Sequence, residues 1–296
     1  MSSHQMVLHP QHIELGSLSA SRLQIRGVPH LLEFAVASRP YRELLESIEA
    51  RQHSRRGTFE EALAVADPLP RGRALDVPCG PGRMAEALGR LGFTAFGADL
   101  DAAGYEASVP FCTLDLNRSL PYAAGSFGFV YCGDGIEHLE NPFLLLRELA
   151  RVLADDGVLV VVTPNYLNVE RRLQFLLTGS LAKPPRRVAR YYDDPPYDRG
   201  HINPLTLTRL AYMAENAGLQ LTRSTTLIPR RGQRWLAPLA WLIRAIAAGQ
   251  SATRRRDLFA DHSQSLSMLM GGKQLLACFR KSAKSLAPSA AQPAER

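Results

Sequence analysis

Residues 74–83, ALDVPCGPGR, pass from a short apolar run through a turn of proline and glycine into the start of a helix. Residues 73–77 (RALDV) have the length and composition of a strand. After the turn, Met84, Ala87, Leu88 and Leu91 recur at the spacing of one helix face. A strand, a glycine-rich turn and a helix in that order gather backbone N–H groups and a helix N-terminus at one spot, which suits a nucleotide-like ligand. Asp76 ends the strand, and Pro78, Cys79, Gly80 and Gly82 form the turn. Alone, such a turn is only a tight connection between strand and helix. A second element extends it: Asp99 closes the next strand, FTAFGADL, about twenty residues on, where a carboxylate accepts two hydrogen bonds from a ribose diol.

Outward from this point the alternation continues. PFCTLDL reads as a third strand ending near Asp115, whose carboxylate can accept from an adenine amino group. FGFVYC is a fourth strand, followed by a loop and a helix carrying Phe143, Leu146, Ala150 and Leu153. VLVVVT is a continuous β-branched run, as expected for a strand covered on both faces, and Pro164 stops it. Residues 205–216 read as a helix ended by Gly218, LQLTRST as a strand, and KQLLACFR after Gly271 and Gly272 as the last one. Strands alternating with helices predict a mostly parallel sheet with helices on both faces. Such sheets bind ligands at the carboxyl edge, to which Asp76, Asp99 and Asp115 are all brought.

The chain of 296 residues, 46% hydrophobic and 21% charged, is long enough to bury a full core. We expect an N-terminal helical extension over 1–69, a main domain over 70–281 and a disordered tail over 282–296, rich in Ser, Ala and Pro. In the extension, Tyr41, Leu44, Leu45 and Ile48 fall at helical spacing. The 35 basic and 28 acidic side chains leave a formal charge of +7, which favours anionic partners without selecting one. Four cysteines without a CxxC pair argue against a disulfide framework or zinc cluster. No apolar run follows a basic start, and LAPLAWLIRAIAA is interrupted by Arg244 and too short for a bilayer, so a cytoplasmic protein is expected.

The series ALDVPCGPGR, FGADLD, CTLDLNRSLPYAAGSFGFVYCGDGIEHLENP and RELARVLADDGVLVVVTPN, over roughly residues 70 to 225, resembles class I S-adenosylmethionine-dependent methyltransferases of the small-molecule and ubiquinone-biosynthesis type. The resemblance implies a Rossmann-like sheet of seven strands, the last antiparallel, with S-adenosylmethionine across its carboxyl edge. Carried over residue by residue, Asp76, Cys79, Gly80 and Gly82 surround the methionine portion, with Pro78 in the same turn. Asp99 and Leu100 hold the ribose, Asp115 and Leu116 the adenine, and Cys132 and Gly133 line the pocket near the sulfonium. The chain departs from the family in three places. Pro78 stands where a glycine is usual and lacks an N–H, although its carbonyl remains. Gly128 replaces the usual aspartate of the SFD block. The helix that normally follows the second strand is shortened to a turn.

Two rival classes fit less well. A nicotinamide-dependent dehydrogenase expects G-x-G-x-x-G at the first turn and a Tyr-x-x-x-Lys pair. A nucleic-acid methyltransferase is suggested by Asp194-Pro195-Pro196-Tyr197, but that signature belongs directly after the fourth strand, where Gly133-Asp134 stands, so nucleic acid is not the expected partner. A binding protein that kept the fold without activity is the third alternative.

Residues 165–205 leave the carboxyl edge and are expected to form an acceptor lid, and 229–270 a helical insertion. TPNYLNVERRLQFLLTG (163–179) and PYDRGHINPLTLTRLAYMAENAGL (196–219) are similar to methyltransferases of surface-polysaccharide and glycolipid synthesis, which implies O-methylation of a glycan, glycolipid or other small hydroxyl. A quinone-like lipid or natural product is the alternative. His138, in GDGIEHLENP, and His201, in the lid, are the candidates for accepting the acceptor's proton. Asp134, Glu137 and His138 fall within five residues of one loop and are awkward to converge on an ion, so no metal is expected. Residues 234–248, RWLAPLAWLIRAIAA, form a helix apolar on most sides, which means burial in the fold or peripheral contact with the inner face of a membrane.

Overall fold

The computed structural model describes residues 56–181, 200–226 and 231–281. The expected helix around Tyr41 to Ile48, the Asp194–Tyr197 stretch and the tail from residue 282 lie outside the described residues.

Among the described residues seven strands form one sheet in the order β3-β2-β1-β4-β5-β7-β6. They are β1 (Arg73–Asp76), β2 (Thr94–Asp99), β3 (Phe111–Thr113), β4 (Phe127–Gly133), β5 (Leu153–Pro164), β6 (Leu219–Thr226) and β7 (Gln274–Lys281). The first five pair in parallel, and β7 lies antiparallel between β5 and β6. This is the mostly parallel, Rossmann-like architecture expected from the sequence. Its strand order reverses between β1 and β4, and the crevice that opens at such a reversal is where ligands settle.

The β-branched run of β5 explains its central place. Val158 to Val162 are each 3% exposed or less, so both faces of the strand are covered. Helices α1 (Arg56–Ala66), α2 (Arg83–Arg90), α3 (Pro142–Val152), α4 (Val169–Thr178) and α5 (Leu207–Asn216) flank the sheet. Helix α1 buries Ala62, Leu63 and Ala66, and Thr58 donates 2.6 Å to Gln274 Oε1 at the start of β7. Helix α2 buries Met84, Ala85, Ala87 and Leu88. Asn141 caps α3 by accepting from the Leu144 N–H at 3.0 Å, with Pro142 opening the first turn.

After β2 no helix forms, and Tyr105 fills its place. The Tyr105 ring lies 4.5 Å from that of Phe111 and its hydroxyl donates to Val109 O at 2.8 Å. A Cβ on Gly82 would stand 2.5 Å from this ring, and one on Gly97 2.8 Å from its hydroxyl, so both glycines make room for it.

Between β6 and β7 run a 3-10 turn (Arg231–Leu236) and helices α6 (Ala237–Ala248), α7 (Ala252–Asp257), α8 (Ala260–Ser263) and α9 (Leu266–Met270). Leu236 and Ala240 join Val169 of α4 and Leu269 of α9 in a small core of their own. The opposite face is open: Trp235, Trp241, Leu242 and Ile246 are 75%, 58%, 55% and 60% exposed. Of the two readings left by the sequence, burial holds for one stripe of this segment and exposure for the other. No described helix is long and apolar enough to cross a membrane.

The loop between β3 and β4 is pinned by one charged pair. Glu148 accepts from the Leu120 N–H at 2.8 Å and from Arg151 at 2.9 and 2.7 Å, while Arg151 also donates to the carbonyls of Leu120 and Tyr122. The Arg151 hydrogen bond holds the Glu148 carboxyl below its ordinary range. A depressed carboxyl contributes stability above the unfolded pKa and loses it as pH falls through the folded value. Glu148→Gln should therefore lower stability by about 1–2 kcal/mol near neutral pH. In thermal melts the gap to wild type should narrow steadily on acidification below about pH 4.

Candidate active site

The turn after β1 is held by its neighbours on both sides. Val77 N–H donates to Tyr131 O and Cys79 N–H to Ala98 O, both at 2.9 Å, tying the turn to β4 and β2. Asp76 accepts from the Ala85 N–H at 3.0 Å, which fixes the N-terminal end of α2. Asp99 accepts from the Gly80 N–H and from the Leu100 N–H, each at 2.7 Å. Two carboxylates thus clamp one glycine turn. Burial pushes the Asp76 carboxyl well above the usual range; the Ala85 N–H opposes this and the charge of Asp99 adds to it.

Pro78 is accommodated by a partner. A Cβ on Gly135 would overlap the Pro78 ring, so the proline in the first turn and the glycine after β4 fit as a pair.

The structure brings the expected ligand residues to one edge, in differing exposure. Gly80 has φ +49°, and a Cβ there would meet no protein atom within 4 Å, so the turn presents bare backbone to open space. Leu100 is 46% exposed beside Asp99. Asp115 lies beyond β3 in a turn, accepts from the Asn117 N–H at 2.9 Å and pairs with Arg118. Leu116 and Cys79 are 7% and 8% exposed. Cys132 is fully buried within the main core, so its contribution to a pocket is its backbone. Gly133 carries the neighbouring Tyr131 ring where its own Cβ would be. A cradle that a side chain would fill, with carboxylates beside it and an exposed leucine, fits S-adenosylmethionine.

At the adjoining end of β4, Asp134 has φ +51°, a backbone shape rare outside glycine, and its carboxylate accepts from Gln274 Nε2 at 3.0 and 2.9 Å. Beyond it a 3-10 turn (Ile136–His138) carries the first candidate histidine. His201 meets it from the far side: the two imidazoles lie edge to face, 4.8 Å between centroids and 88° between planes. Asn203 fixes this approach by donating from its backbone to Glu137 O at 3.0 Å and from its side chain to Leu139 O. Tyr166 Oη lies 2.8 Å from His201 Nδ1, and Thr163 donates to Glu137 Oε2 at 3.0 Å. Tyr105, Thr163, Tyr166, Asn203 and Gln274 were not foreseen from the sequence. Their common signal is a place at a strand end or next to a turn, which spacing alone does not single out.

The fold and this edge define a class I S-adenosylmethionine-dependent methyltransferase architecture. Residues 48–224 match the model of the methyltransferase domain family, and the chain belongs to that family. The chain is 31% identical over 103 residues to a ubiquinone biosynthesis O-methyltransferase of Caulobacter sp. (strain K31), covering 31% of this chain and 41% of that one. A protein of the same name from Xanthomonas oryzae pv. oryzae (strain PXO99A) is 30% identical over 159 residues, 50% of this chain and 63% of its own. The chain thus spans about half the length of these curated relatives. Among solved structures, a SAM dependent methyltransferase from Archaeoglobus fulgidus superposes with a TM-score of 0.50 at 16% identity, over 80% of this chain and 94% of that one, which is a likeness of fold.

A carboxyl raised by burial is protonated in the folded chain at pH values where the unfolded chain has ionised, so its contribution weakens stability as pH rises above about 3.9. Asp76→Asn keeps an acceptor for the Ala85 N–H and removes that cost. Thermal melts near neutral pH should show it at least as stable as wild type, with the difference vanishing on acidification. Calorimetry should show S-adenosylmethionine bound about tenfold or more weakly.

Proposed function

We propose that this chain is an S-adenosylmethionine-dependent O-methyltransferase acting on a hydroxyl of a small, lipid-borne acceptor. The observation that carries the reading is the joining of two features at one edge of the sheet: the bare Gly80 turn clamped by Asp76 and Asp99, and the His138–His201 pair across from it. When bound, S-adenosylmethionine supplies an electrophilic methyl group. Asp76, Pro78, Cys79, Gly80 and Gly82 would hold its methionine end, Asp99 and Leu100 its ribose, Asp115 and Leu116 its adenine, and the backbone of Cys132 and Gly133 the wall near the sulfur.

The chain's own part is to place the acceptor oxygen and receive its proton. Orientation alone can supply several kcal/mol of the barrier, and an alcohol becomes a good nucleophile once its proton is accepted. His138 and His201 stand where that proton would leave. The acceptor lid is assigned to 165–205, of which residues 165–181 and 200–205 are described.

A lipid-borne acceptor is favoured by exposed apolar side chains on two helices that share the small core. Phe175, Leu176 and Leu177 of α4 are 49%, 77% and 81% exposed; α6 packs Ala240 into the core it shares with Val169 of α4 and turns Trp241 and Ile246 outward. Arg254, Arg255 and Arg256 follow on α7, where cations can meet anionic headgroups. The glycolipids suggested by the lid sequence and the quinone-like lipids suggested by the relatives' names both fit such a surface.

Asp99→Ala should weaken S-adenosylmethionine by about tenfold to a hundredfold in calorimetry. Unchanged affinity in a folded variant would remove the cofactor assignment. Replacement of either histidine by Ala should cost about a hundredfold in kcat with cofactor affinity near normal. In flotation with anionic vesicles the chain should rise with the lipid at low salt, and Trp241→Ala/Ile246→Ala should leave it in the soluble fraction. A wild-type chain that stays soluble at every salt concentration rejects the membrane-facing reading.

A further inference from the structure

Glu137, His138 and His201 each offer one ligating atom, and the three atoms lie within 4.8 Å of one another. Glu137 Oε1 and His138 Nε2 are 3.9 Å apart. Ligands about 2.0–2.1 Å from a tetrahedral ion stand roughly 3.4 Å from each other, so closure by up to about 1.4 Å, within reach of side-chain rotation, would form a coordination shell. We propose that these three residues hold a divalent first-row transition ion of the zinc type, at the point where the acceptor hydroxyl arrives.

The donor set selects the ion. Two imidazoles with one carboxylate suit zinc, cobalt, manganese or ferrous iron, whereas magnesium and calcium take shells of oxygen. Three protein ligands leave a position open, as catalytic rather than structural zinc sites do. The remaining atoms of the ligands are held as an outer shell would hold them. Thr163 donates to Glu137 Oε2 at 3.0 Å, and Tyr166 Oη lies 2.8 Å from His201 Nδ1, so both side chains are oriented by a neighbour.

The ion changes how the histidines act. A divalent cation lowers the pKa of a hydroxyl it touches. The acceptor O–H would give its proton to solvent. The oxygen would then bond to the methyl carbon as the carbon–sulfur bond breaks, leaving the neutral thioether of S-adenosylhomocysteine. This inference rests on the proposed methyl transfer only for the role of the ion; binding of the ion stands apart from it.

The test needs neither cofactor nor acceptor. The full chain, stripped with chelator, is titrated with Zn2+, Mn2+ and Co2+ in turn by calorimetry, and the Co2+ form is read by visible absorption. One equivalent should bind tightly in wild type and in His262→Ala, a histidine remote from the site that serves as control. The same equivalent should weaken about a hundredfold in His201→Ala and Glu137→Gln, and about tenfold in Tyr166→Phe, which keeps all three ligands. The ion should also raise the melting temperature of wild type but not of His201→Gln, a comparison that reads each variant against its own ion-free form. Identical binding in wild type and the His201 and Glu137 variants, or no equivalent tighter than millimolar, overturns the site. Selective ion binding without S-adenosylmethionine binding would keep this site and reject the proposed reaction; the reverse result would leave the histidines to act directly.

Discussion

The structure of the site depends on two carboxylates reaching across one turn. Asp76 and Asp99 end neighbouring parallel strands, and each accepts a backbone N–H from beyond its own strand, Asp76 from Ala85 and Asp99 from Gly80. The turn between them is glycine and proline, with little side chain of its own to hold it. What fixes its shape is therefore hydrogen bonding from the sheet, which sets a buried Asp76 on one side of the turn and a partly exposed Asp99 on the other.

The rest of the sheet positions a second set of groups opposite this turn. Strand β4 ends at Gly133 and delivers Asp134 in a left-handed conformation held by Gln274, which in turn receives the hydroxyl of Thr58 from α1. Helix α1, inside the extension expected over 1–69, is thus in hydrogen-bonded continuity with the edge where chemistry is proposed. On the other side Asn203 fastens the returning chain to Glu137 and Leu139 and so sets His201 against His138.

The sequence makes the fold legible because its signals there are local. The valine run of β5, the glycine turn at 80–82 and the strand-end aspartates each carry their meaning within a few residues, and the structure has them as strand, turn and edge. The shortened connection after β2 is also visible as a short interval, although the ring of Tyr105 that fills the gap is not. The histidine constellation is of another kind. Within the GDGIEHLENP loop, Asp134, Glu137 and His138 look like a set, yet the structure draws Asp134 to Gln274 and gathers Glu137 and His138 with His201, which lies more than sixty residues further along the chain. Long-range pairing of this sort is set by the sheet topology and leaves no periodic mark. The exposure of Trp241 and Ile246 is hidden for a related reason: a helix apolar on most sides has no polar stripe to say which face turns outward.

The meeting of Pro78 with Gly135 has a consequence for the history of the chain. A proline ring in the first turn and a side chain after β4 exclude each other, because both need the same volume. With the proline at 78, position 135 has room only for a residue without a Cβ. Once the proline is in place, position 135 loses its freedom to change. The two sites form a ratchet, in which a tolerated substitution in the cofactor turn is locked by a glycine more than fifty residues away.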